Sequence, residues 1–286
     1  MMERILLADS GTGHSKEMLK ALMSIPSMQR SRVTVLHVVP PQVSAMAQEA
    51  KWKEGEALVQ ATIDQLSLDP SRVQVVLRSG DPKDIVCQVA EETDTDLIIM
   101  GSRGLKSRFR SIVENSVSQY VFQLSPRPML VVQDDLYVRP IQRVTVAVNQ
   151  SDPSQKSLEL AMFLLRDLPD SKLNLVHVDP NAKVEVSGAA AEKDAVLMPA
   201  VAMAKRYGIE YRAFVGMGNV VMGNAGETIC RIAEEARTDL LLIGSPDRRP
   251  NIGKHLPDLD RLLGASLSDY VRTHATCPVL MTRTIG

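Results

Sequence analysis

The chain has 286 residues, of which 44% are apolar and 23% charged, enough to pack a core and too apolar for wholesale disorder. Its 33 Lys and Arg face 34 Asp and Glu, so no net field recruits nucleic acid, an anionic membrane or basic partners. No apolar stretch reaches the roughly 18–20 residues of a membrane helix, and three cysteines without CxxC spacing argue against a disulfide or zinc framework. An aromatic content of 3% leaves few platforms for stacking bases of a single strand.

In chain order, Met1-Met2-Glu3-Arg4 runs directly into Ile5-Leu6-Leu7-Ala8. That is too short for a secretory leader, so a cytoplasmic protein is expected. The same run opens a strand near 3–9, followed by strands near 32–39, 73–78, 96–101 and 128–133. Continuous apolar runs such as Leu97-Ile98-Ile99-Met100, without polar alternation, suit strands buried on both faces of a parallel sheet. Helical patterns lie between them, near 15–25, 43–66, 82–93 and 115–124. Asp81-Pro82 is a start signal, and Ile85, Val86, Val89 and Ala90 then recur at helical spacing. Gln133 to Pro140 is a polar, proline-bearing connection, and further strands follow near 142–148, 171–178, 210–215, 239–244 and 278–283.

The second set repeats the first. Asp94-Thr95-Asp96-Leu97-Ile98-Ile99-Met100-Gly101-Ser102 returns as Arg237-Thr238-Asp239-Leu240-Leu241-Leu242-Ile243-Gly244-Ser245, half a chain length later. Leu36-His37-Val38-Val39-Pro40 returns as Val176-His177-Val178-Asp179-Pro180, and Ser116-Val117-Ser118-Gln119-Tyr120-Val121 as Ser266-Leu267-Ser268-Asp269-Tyr270-Val271. A unit this long is a domain rather than a solenoid repeat. The expected architecture is α/β: two tandem doubly wound domains, 1–135 and 140–286, each an open five-stranded parallel sheet flanked by helices.

Such sheets bind ligands beyond the carboxyl ends of their strands, where strand order reverses. The first strand ends in Asp9-Ser10-Gly11-Thr12-Gly13-His14. The fourth ends in Gly101-Ser102-Arg103-Gly104, with Lys106, Arg108 and Arg110 in the loop that runs on to Asn115, Ser116 and Val117. Two glycines three apart permit close backbone approach, and a helix start at Asn115-Ser116 offers amides that favour an anion such as phosphate.

This arrangement resembles the nucleotide loop of the universal stress protein family, G-x-x-G, nine residues, then G and Ser/Thr. The resemblance spans nearly the whole chain, in the tandem two-domain form. It implies binding of an adenine nucleotide, ATP or AMP, with or without Mg, and a role as a stress sensor or interaction module. Gly101 and Gly104 would cradle phosphates, with Ser102 and Arg103 between them. Asn115, Ser116 and Val117 would close the pocket; Asp9, with Ser10 and Gly11, would face the adenine or ribose, and Val38 or Val39 would line the base. Glu114 stands where the family has its third glycine, so Asn115-Ser116, one place on, takes that position.

The second copy departs further. Asn149 replaces Asp9, and Gly244-Ser245-Pro246-Asp247 lacks the second glycine, so this half is expected to serve as scaffold. The alternative is a structural or interaction protein that binds no nucleotide, its apolar last strands, Met129 to Val132 and Val279 to Met281, pairing the halves as a pseudo-dimer or joining two chains as a homodimer. By itself Gly11-Thr12-Gly13 reads as an ordinary turn, with Lys16 where a dinucleotide fingerprint has its third glycine. His37 and His177 read as satisfied histidines, and Cys87 and Cys230 as inert thiols on apolar helix faces. No nucleophile, acid–base pair or metal cluster stands out, so no catalytic or metal residues are assigned, and a weak ATPase or phosphotransfer module is the enzymatic alternative.

Overall fold

A computed structural model describes residues 2–102, 117–218, 225–245 and 267–283, in two compact units: Met1–Ser24 with Met28–Tyr137, and Ile25–Ser27 with Val138–Gly286. The first unit runs β1 (Arg4–Ala8), α1 (Ser15–Met23), β2 (Arg32–Val39), α2 (Ala45–Leu66), β3 (Val73–Ser79) and α3 (Pro82–Glu92). It continues with β4 (Leu97–Ser102), α4 (Val117–Leu124) and β5 (Met129–Gln133). Its strands lie in the order β3-β2-β1-β4-β5, all parallel, with Leu6 paired to Thr34 on one side and to Ile98 on the other.

The continuous apolar runs fall where the sheet is covered on both faces. Leu6, Leu7, Leu36, Ile98 and Ile99 are fully buried, and each large aliphatic side chain so buried contributes about 1.5–3 kcal/mol. β3, at the edge, is half exposed and reads less apolar for that reason. The start signal of α3 works as its residues dictate: Pro82 opens the helix, and the Asp81 carboxylate accepts from the Lys83 amide at 2.9 Å.

The second unit contains β6 (Arg143–Ala147), α5 (Asp152–Leu165), β7 (Lys172–Asp179), β8 (Val186–Ser187), α6 (Met198–Tyr207) and β9 (Glu210–Met217). After these come α7 (Ala225–Glu235), β10 (Leu240–Gly244), α8 (Leu267–His274) and β11 (Val279–Thr282), in the strand order β11-β10-β6-β7-β9-β8. β8 is an addition to the five expected strands: two residues antiparallel to β9, with Val186 opposite Val215. A two-residue strand has no period to read, and the chain leaves it at once through Gly188, at φ +63°.

The repeated Thr-Asp pair has a structural job at the amino ends of the strands. The Asp96 carboxylate accepts from the amides of Glu3 and Arg4, both at 2.9 Å, tying the start of β4 to the start of β1. Asp239 does the same for Gln142 (3.1 Å) and Arg143 (2.8 Å), and its second oxygen takes the Arg143 guanidinium at 3.2 Å. These carboxylates sit at the amino ends of the strands, away from the carboxyl ends that carry Asp9 and Gly101 in the first unit and Asn149 and Gly244 in the second.

Candidate functional site

In the first unit the chain runs outward from β1 through β2 to β3, then returns to place β4 on the other side of β1. The crevice of such a sheet lies at the carboxyl ends of β1 and β4. A cleft of about 830 Å³ opens there, within the 300–1,000 Å³ typical of small-molecule sites. Its apolar side is built from Leu36, Val38 and Val39 of β2, Leu58 of α2, and Pro82 and Val86 of α3. Its polar lining comes from Ser10, Thr12, Ser102 and Ser118, with Lys51 and Glu54 of α2 and Asp134.

Of the residues singled out from sequence, Asp9, Ser10, Val38, Val39, Gly101, Ser102 and Val117 line this cleft. Gly11 is not among the lining residues; it backs onto α2, where an added Cβ would collide with Leu58 Cδ1. Arg103, Gly104, Asn115 and Ser116 lie outside the described residues.

Asp9 is buried, and the chain itself engages both carboxylate oxygens. Oδ1 accepts from the Gly11 amide at 2.8 Å, and Oδ2 accepts from the Thr62 hydroxyl at 2.6 Å. The Lys16 ammonium stands 4.0 Å from Oδ2. A buried carboxylate needs such partners to offset its lost hydration. Asp9 thereby folds the loop after β1 and anchors it to α2, while its backbone carbonyl accepts from His37 Nδ1 at 2.8 Å. A carbonyl only accepts, so His37 donates through its Nδ1–H. His177 repeats the contact with the Val148 carbonyl at 3.1 Å.

Several cleft residues escaped the sequence reading because α2 looked like an ordinary amphipathic helix. One signal was there: Gly55 in mid-helix. A Cβ at Gly55 would come within 3.0–3.1 Å of His37, Leu77 and Val39, so this glycine lets α2 lie close against β2 and β3. The loop glycines are equally constrained. Gly11 and Gly13 hold φ of +82° and +78°, backbone geometry that costs other residues about 1–3 kcal/mol. Of the Gly11-Thr12-Gly13 turn, Thr12 lines the cleft, while Gly11 backs onto Leu58 and Gly13 onto Asp134.

The matching place in the second unit is built differently. Asn149 Oδ1 accepts from the amide and hydroxyl of Ser151, at 2.9 and 2.6 Å, and α5 begins at once with Ser151 as its cap. The first turn of α5 packs directly on Gly244, where an added Cβ would collide with the backbone of Pro153 and Ser154. The Thr282 hydroxyl locks that turn, donating to the Pro153 carbonyl at 2.5 Å and meeting Ser157 Oγ at 2.6 Å. Over Gly101 the nearest atom is a side-chain oxygen of Asp134, 3.2 Å from an added Cβ, whereas over Gly244 helix backbone fills the space.

The universal stress protein family model matches residues 1–133 and again 140–283. The chain belongs to the universal stress protein family, with two such domains in tandem. Universal stress protein YxiE of Bacillus subtilis (strain 168) is 26% identical over 150 residues, 46% of this chain and 100% of the relative. The crystal structure of a universal stress protein from Archaeoglobus fulgidus DSM 4304 superposes with a TM-score of 0.74 at 22% identity, covering 99% of this chain and 97% of that one. A family protein of Arabidopsis thaliana, solved with AMP bound, is 20% identical, covers 50% of this chain and 91% of that chain, and gives a TM-score of 0.34. No helix among the described residues is long and apolar enough to cross a membrane.

Proposed function

We propose that the first unit binds an adenine nucleotide, ATP or AMP, in the cleft between β1 and β4, and that the chain works as a nucleotide-responsive module in the stress response. The observation that carries this is the cleft's mixed apolar and polar lining at the carboxyl ends of β1 and β4. Leu36, Val38, Leu58 and Val86 offer apolar surface to a base, and the hydroxyls of Ser10 and Thr12, with Gly101 at the end of β4, offer polar lining to the rest of the nucleotide. Membership of the universal stress protein family supports the same ligand class and the stress role. In this reading the second unit is a scaffold, since the first turn of α5 takes the room a phosphate would need.

Titration calorimetry with ATP and AMP tests it, on the native chain and on Gly101→Val. Valine there presses on the Asp134 carboxylate, 3.2 Å from the new Cβ, and on the Thr12 carbonyl, 4.0 Å away. The native chain is expected to bind, and the variant to lose at least about tenfold, about 1.4 kcal/mol. Equal affinity in the variant, or no binding by the native chain at millimolar nucleotide, contradicts the proposal.

A further inference from the structure

We propose that the Asp134 carboxylate is a built-in competitor for the ligand's phosphate groups, so that it sets which phosphorylation state of an adenine nucleoside the cleft prefers. This rests on the nucleotide reading above and adds the selectivity of that same cleft. Asp134 follows β5 directly, and its amide donates to the Ser102 carbonyl at 2.8 Å, fixing its backbone at the carboxyl end of β4. Its side chain reaches over the sheet into the space that two glycines leave open. Oδ1 stands where a Cβ on Gly13 would collide with it, and 3.2 Å from where a Cβ on Gly101 would lie. It therefore sits in the gap between the loop after β1 and the end of β4, on the lining of the cleft.

A ligand whose base lies against Val38 and Val39 extends its phosphates toward Gly101, and so toward this carboxylate. Carboxylate and phosphate oxygens have the same sign of charge and the same capacity to accept hydrogen bonds, so they compete for one position. Asp134 must give way for each phosphate-bearing ligand, and need not for a bare nucleoside. Because Asp134 is exposed, the penalty is screened by salt. Two unit charges about 4 Å apart in water differ from a charge and a neutral group by roughly fivefold in affinity, which sets the scale expected here.

The test compares ATP, AMP and adenosine binding in EDTA at low salt, for the native chain, Asp134→Asn and Asp135→Asn. Asp135 is the exposed neighbouring carboxylate that does not line the cleft, and controls for net charge. Asp134→Asn is expected to tighten ATP about fivefold, AMP less and adenosine not at all, with the gain shrinking at 0.5 M salt. Nucleotide binding with no change in Asp134→Asn, an equal change for adenosine, or an equal gain in Asp135→Asn overturns the proposal and leaves the nucleotide reading standing. Failure of all three compounds to bind the native chain and Asp134→Asn alike removes that reading, and the proposal with it.

Discussion

At the scale of single residues, Asp9 and Asn149 form a matched pair made by the duplication. Each side-chain oxygen accepts from an amide two residues on, Gly11 in one unit and Ser151 in the other, so shaping the loop needs an acceptor and not a charge. Asp9→Asn keeps that acceptor, and its amide can donate to Thr62. Urea melts are therefore expected to place Asp9→Asn within about 1 kcal/mol of the native chain. Asp9→Ala strands the Gly11 amide and the Thr62 hydroxyl, at about 1–3 kcal/mol. Equal losses in the two variants would separate Asp9 from this role. The thiols give a second prediction. Burial pushes the Cys230 thiol up to about 12, with the Glu234 charge adding to it, and burial raises Cys277 also. Both groups lose protons more readily in the unfolded chain, where a thiol titrates near 8.5. Their contribution to stability is whole below that value and drains away as pH climbs through the folded one. At pH 8 a disulfide reagent should leave Cys277 unlabelled in the native chain and label it in urea. Rapid native labelling would contradict its burial.

At the scale of elements, the two units differ most where the first helix begins. Five residues separate Asp9 from the start of α1 at Ser15, and two separate Asn149 from the start of α5 at Asp152. The longer loop uses Gly11 and Gly13 to turn beside an open cleft; the shorter one drops α5 onto β10. Gly244→Ala should therefore lower stability by about 1–3 kcal/mol or more, because its Cβ meets backbone. Gly101→Ala should cost less, since its nearest neighbour is the movable Asp134 side chain. Thermal melts that rank the pair the other way would refute the packing described for α5. The contrast also marks what the sequence could tell. Strands buried on both faces were legible as unbroken apolar runs, and α3 from Asp81-Pro82. The α2 wall was not, because the contact of Thr62 with Asp9 joins residues far apart in the chain, and pattern within a helix does not say which strand it covers. Asp134 was hidden for a related reason: one carboxylate after a strand looks like linker until the turn brings it over Gly13.

At the scale of the whole chain, one topology written twice yields one open cleft among the described residues at the expected strand ends, and a filled counterpart. The Asp96 and Asp239 ties that both copies keep hold strand starts together, whereas the features that separate the copies gather at the opposite ends of the sheets. The most direct measurement is photolabelling with 8-azido-ATP followed by peptide mapping. The account predicts label on Leu36–Val39 or on the facing stretch of α2, displaced by excess ATP, with the second unit unlabelled. Label shared equally with the peptides around Val176–Asp179, or unaffected by excess ATP, would contradict it.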